Sequence, residues 1–154
     1  MKNLVKKLFG ILIILLFFLN TAYAKDVENV KQNIITQAKA MNVDPAIVLS
    51  IAKTESGFNQ AARGAGGHVG VFQLSNATAK TMGINPYNLD ENIKGGILYY
   101  KNMYDMFGSM ELAVAAFNSG PVMVKKCNNT IPKHSQHFVT KIMSDYKNYK
   151  NSGL

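Results

Sequence analysis

The stretch Asp44-Pro-Ala-Ile-Val-Leu-Ser-Ile-Ala-Lys-Thr-Glu-Ser-Gly57 constrains this chain more than any other. Asp44 is an N-cap residue type, Pro45 suits the first helical position, and Gly57 is a stop. Between them Ile47, Ile51 and Glu55 recur four apart, and Val48 and Ala52 complete the same face. The segment is therefore a helix whose apolar stripe faces the protein, and the Glu55 carboxyl lies on that stripe in the last turn. Partial burial and the unpaired carbonyls of the helix end both disfavour the ionised form, so its pKa is expected to rise. A carboxylic acid still protonated near neutral pH can donate to a leaving-group oxygen. The plain alternative is a glutamate that reaches solvent past Gly57.

Most of the remaining chain also reads as helix. Val27, Val30, Ile34, Ile35 and Ala38 mark a helix over 26–41. Ser75 or Asn76 caps a short one ending at Gly83, and Asp90 caps a long one to about Phe107. Glu111 to Asn118 is very apolar, and Ala113, Ala115 and Ala116 predict a central, closely surrounded helix. Val122 to Cys127 adds a turn or two, Ser135 to Tyr149 forms the last helix, and 148–154 reads as a frayed tail. The exception is Gly57 to Leu74, where five glycines make a loop; His68 to Leu74 could hold a strand too short to define a sheet.

The first 24 residues stand apart. Lys2, Lys6 and Lys7 precede an apolar run from Leu8 to Leu19, and Ala22-Tyr23-Ala24 is a small-x-small cleavage pattern. This predicts an exported protein whose mature chain starts at Lys25, with an uncleaved anchor as the alternative. The span 25–154 is one domain in size and long enough to bury a core. Cys127 is the sole cysteine, so intramolecular disulfides are excluded; a buried thiol is expected. Without the three leader lysines, 14 basic residues face nine acidic ones, a surplus of +5. That charge suits a polyanionic cell wall or lipid surface. With one arginine, Arg63, and no basic helix or aromatic-interleaved basic strand, nucleic acid is not an expected partner.

Three segments then fall in order: Glu55-Ser-Gly-Phe-Asn59, Gly70-Val-Phe-Gln73 and Ala115-Ala-Phe-Asn-Ser-Gly-Pro121. The set resembles the lytic transglycosylases with a soluble, goose-lysozyme-like catalytic domain. Their pattern runs Glu-Ser-x-Phe-Asn, a glycine loop ending Gly-Leu-Met-Gln, and Ala-Tyr-Asn-x-Gly. Asn92-Ile-Lys-Gly-Gly96 and Pro132 with Phe138-Val139 match further segments, so the resemblance spans about 42–146. It implies a mainly α, lysozyme-like single domain (the SLT type) that cleaves the MurNAc–GlcNAc β-1,4 bond of peptidoglycan. Glu55 would be the sole acid and base, leaving a 1,6-anhydromuramyl end without water. Ser56, Gly70, Phe72, Gln73, Phe117 and Asn118 would line the substrate site, and no metal or organic cofactor is implied. The expected location is the periplasm, with peptidoglycan strands as partner and service to an envelope-spanning secretion, conjugation or pilus machine. The residues agree in one respect: a paired-carboxylate glycosidase needs a second acid, and Gly57 to Leu74 contains none.

The chain also departs from the pattern. Phe117 replaces the family tyrosine, which removes a hydroxyl from the site, and Phe72 replaces the loop methionine. His68 stands where alanine is common, inside the cleft or outside it. His134-Ser135 replaces a Glu-Thr pair, and His134, His137 and Cys127 lack an evident fourth ligand for zinc. Two competing functions remain: a goose-type lysozyme that delivers water to the sugar, and a wall-binding protein of weakened activity.

Overall fold

The computed structural model describes the backbone from Lys2 to Leu154 and the side chains other than those of residues 1–8, 10, 12–20 and 22. The side chains of the leader expected over 1–24 thus fall largely outside the described residues, and its backbone is part of a helix that was expected only from residue 26. Seven α-helices are described: α1 Lys2–Ala40, α2 Pro45–Ser56, α3 Asn76–Met82, α4 Leu89–Phe107, α5 Met110–Ser119, α6 Pro121–Lys126 and α7 Gln136–Asn151. Helix α1 passes through Ala24–Lys25 without a break. No helix among the described residues is long and apolar enough to cross a membrane.

Local chemistry sets the helix ends. The Asp44 carboxylate accepts from Ala46 N at 3.0 Å, and Gly57 closes α2 at φ +62°. Ser75 Oγ accepts from Thr78 N at 3.0 Å to start α3. The long helix begins two residues earlier than expected: Asn88, not Asp90, is its cap, accepting from Glu91 N at 3.1 Å. Asp90 instead accepts from Asn33 on α1 at 2.6 Å. Each such cap contributes about 1 kcal/mol.

Helix α2 is enclosed. Ala46 to Ala52 are all buried, because α1, α4 and α7 pack against it. The Ser50 hydroxyl is satisfied by Ala46 O at 2.7 Å. Ala113 to Phe117 of α5 are buried as well, and the three alanines among them let α4, α6 and α7 approach. Lys53 and Asp145 tie α2 to α7 through a 2.6 Å ion pair. The C-terminal tail is not frayed: α7 continues to Asn151, and Leu154 packs on the core with its N–H bonded to Tyr149 O. Cys127 is half-buried rather than buried.

The glycine loop holds more order than its sequence promised. Three two-residue strands, β1 Arg63–Gly64, β2 His68–Val69 and β3 Leu74–Ser75, pair antiparallel in that order. The loop sits against α4 at its two glycines. A Cβ on Gly96 would land inside the Phe72 ring, and one on Gly95 would strike Ile84. Gly96→Ala is therefore expected to destabilise by about 1–3 kcal/mol through overpacking, although alanine is the better helix former. Chemical denaturation measures this, and a stabilised variant would show that the ring moves aside freely.

Candidate active site

Glu55 occupies the last turn of α2, and its side chain opens into a cavity of about 320 Å³. Gly64, Ala65, His68, Gln73, Phe117 and Asn118 complete the lining. Burial alone lifts the Glu55 pKa to about 7 from an ordinary 4.5. Among the described residues no hydrogen-bond partner reaches the carboxyl, so nothing offsets its lost hydration. No other carboxylate among the described residues lines the cavity. Four of the other eight acids are ion-paired elsewhere: Asp44 with Lys150, Asp105 with Lys101, Asp145 with Lys53 and Glu28 with Lys31.

Helix α5 ends beside this carboxyl and supplies Phe117 and Asn118. Asn118 Oδ1 accepts from the buried Ser135 hydroxyl at 2.8 Å, which leaves the amide N–H groups for the groove. Phe117 is 8% exposed and forms the apolar wall. Its ring meets Tyr99 edge-on at 5.2 Å and Phe72 at 6.4 Å.

Gln73 sits at φ +44°, a strained position for a non-glycine residue. Its Nε2 donates to Gly70 O at 2.9 Å and Ala62 O at 3.3 Å, which holds that conformation. Both amide hydrogens are thus consumed by the loop. The groove receives only the acceptor Oε1, not the two donors and an acceptor of a free amide.

Three residues expected at the substrate lie behind the lining. Phe72 is fully buried, a support for Phe117 rather than a wall of its own. Gly70, at φ +79°, faces the protein: a Cβ there would come within 2.6 Å of Gln60 Oε1 and closer still to the Asn92 amide. The space it leaves serves loop packing. The Ser56 hydroxyl donates to Val71 O at 2.8 Å and accepts from Asn59 N at 3.1 Å, stitching the end of α2 to the loop.

Two other residues were missed or left open. Tyr99 and His68 border an adjoining cavity of about 180 Å³ that shares Gln73, Phe117 and Asn118 with the first. Tyr99 follows Asn92-Ile-Lys-Gly-Gly96 by three positions, but no local pattern distinguishes it from the buried Tyr100 beside it. Beneath the loop, Asn92 is fully buried and makes three bonds of 2.9 Å: Oδ1 accepts from Phe72 N, and Nδ2 donates to Val69 O and Pro86 O. A cavity of about 360 Å³ near Ile47, Tyr100 and Tyr104 lies toward the other end of α2; its two acids, Asp44 and Asp105, are ion-paired with Lys150 and Lys101.

Residues 32–139 match the family described as Transglycosylase SLT domain. A protein described as a transglycosylase from Enterobacteria phage PRD1 is 35% identical over 80 residues, covering 51% of this chain and 30% of that protein. Among solved structures, an inactive mutant of the lytic transglycosylase Slt from Pseudomonas aeruginosa aligns with a TM-score of 0.68 and 22% identity. That alignment covers 79% of this chain and 24% of the other. The 70 kDa soluble lytic transglycosylase of Escherichia coli aligns with 0.69 and 20% identity, over 78% and 24% of the two chains. This chain therefore spans only about a quarter to a third of each relative. The two structures share its mainly α, lysozyme-like fold, and the family match runs from α1, through the Glu55 cavity, into α7. The chain belongs to the Transglycosylase SLT domain family.

Proposed function

We propose that this protein is an exported lytic transglycosylase that cleaves the MurNAc–GlcNAc β-1,4 bond of peptidoglycan with Glu55 as its only acid and base. The observation that carries this reading is the solitary, half-buried Glu55 carboxyl, raised to about 7, in a cavity that offers no second acid. In the first half-reaction protonated Glu55 gives its proton to the glycosidic oxygen, and the bond from that oxygen to the muramyl anomeric carbon breaks. In the second, the muramyl C6 hydroxyl bonds to that carbon and its proton passes to the Glu55 carboxylate. The acid is regenerated, no water is consumed, and a 1,6-anhydro ring closes the new end. A pKa near 7 suits both halves, since neither form is strongly preferred at neutral pH.

The lining fits a sugar with acetamide groups. Asn118 can donate to a carbonyl or hydroxyl oxygen, Gln73 Oε1 can accept, and the Phe117 face can pack on the apolar side of a pyranose. Positioning by such groups lowers the barrier only where the reacting atoms meet in line. Location in the periplasm and service to an envelope-spanning secretion, conjugation or pilus complex belong to the same proposal, on the strength of the leader pattern and the family resemblance.

Mass spectrometry of digested sacculi tests the reading. Muropeptides lighter by one water are expected. Reducing ends would instead identify a hydrolase, and binding without release would identify a wall-binding protein.

A further inference from the structure

One side chain in the groove has no part in the chemistry above. His68 borders both the Glu55 cavity and the adjoining cavity that Tyr99, Ser75 and Thr78 help to line. Its Nδ1 lies 2.6 Å from the carbonyl oxygen of Ala65. A carbonyl only accepts, so Nδ1 carries the hydrogen, and the tautomer that satisfies this contact has its lone pair on Nε2. Among the described residues nothing is bonded to Nε2.

The ring is also held in place. His68 is in β2, paired with Gly64 on one side and Ser75 on the other. Gly64 lies so close that a Cβ there would stand 3.2 Å from His68 Cβ. His68 is solvent-exposed, but a side chain anchored at both backbone and ring loses less freedom when a ligand arrives than a free one does.

We infer that His68 is a glycan-positioning residue, its Nε2 accepting from a sugar hydroxyl or acetamide N–H where the strand crosses between the two cavities. The inference rests on the proposed action on cell-wall glycan and adds a contact to it. The competing role is structural, with His68 serving only to brace the loop through Nδ1.

Two amide substitutions separate the nitrogens. Asparagine places its amide near the level of Nδ1 and can keep the Ala65 bond, whereas glutamine reaches toward Nε2. Both variants are made in the wild-type and Glu55→Gln backgrounds. Muropeptide release, binding to isolated sacculi and Tm are then measured. His68→Asn is expected to keep the wild-type Tm, to raise KM by about three- to tenfold and to leave kcat nearly unchanged. The same change in the Glu55→Gln background is expected to weaken sacculus binding by a similar factor, and His68→Gln to recover part of both losses.

A His68→Asn protein that binds and cleaves like its parent overturns the inference. A wild type that binds sacculi yet releases no muropeptide overturns the transglycosylase reading alone, because the binding arm still decides His68. A wild type that does not bind sacculi overturns both.

Discussion

Glu55→Gln is expected to slow muropeptide release from sacculi by about 10²- to 10⁴-fold, the usual worth of a positioned acid–base group. Glutamine matches the shape and keeps the neutral charge of the protonated acid, but it cannot hand over a proton. No other carboxyl in the cavity lining can take its place. The wild-type rate is expected to fall as pH rises through about 7, because the proton donor is lost there; the residual rate of the variant should lack that limb. Stability gives an independent reading. The folded pKa of Glu55 lies above the unfolded value near 4.5, so the folded state holds the proton more tightly. The contribution of this group is fully present below pH 4.5 and is lost as pH rises to about 7. The variant does not titrate, so it should gain about 1–2 kcal/mol on the wild type above that range and little below it, allowing for partial solvent screening. A wild-type-like rate in Glu55→Gln would end the proposed mechanism, and an equal stability difference at both extremes would mean the carboxyl is well solvated.

Asn92→Ala carries the second large effect, on the groove rather than the chemistry. The residue is fully buried, and its amide holds the loop from below at Phe72 N, Val69 O and Pro86 O. Pro86 O would keep its bond from Gln60 Nε2 at 3.0 Å, but Phe72 N–H would lose its acceptor and Val69 O a donor. Unsatisfied buried groups of this kind cost about 1–3 kcal/mol each, so a total of about 2–6 kcal/mol is expected by chemical denaturation. Activity should fall with it, because Gln73 and Phe72 depend on the same loop. A loss of under about 1 kcal/mol would mean that water replaces the amide.

The outline of the active site was legible because its parts are local. Asp44, Pro45 and Gly57 set the bounds of α2 within a few residues of themselves, and the Ile47–Ile51–Glu55 spacing put an acid on an inward face. The small residues of α5 announced a central helix in the same way. The cap of α4 was misassigned because Asn88 and Asp90 are equally plausible caps locally; the bond from Asn33, 57 residues away, claims Asp90. The end of α7 looked free because nothing in 148–154 reveals that Leu154 returns to the core.

By itself, then, the sequence determined most of the helices, the caps of α2 and α3, the glycine loop and the acid at the end of α2. Periodicity and capping act between near neighbours, so they can be read along the chain. Only the tertiary structure decided which loop groups face the groove. Ser56 is turned toward Val71, Phe72 is backed by α4, the Gln73 amide hydrogens are spent on Ala62 and Gly70, and His68 and Tyr99 come to the rim. Several of those choices join residues ten or more positions apart. A buried donor or acceptor must find its partner wherever the fold brings one, and only the groups left over are free to meet a ligand.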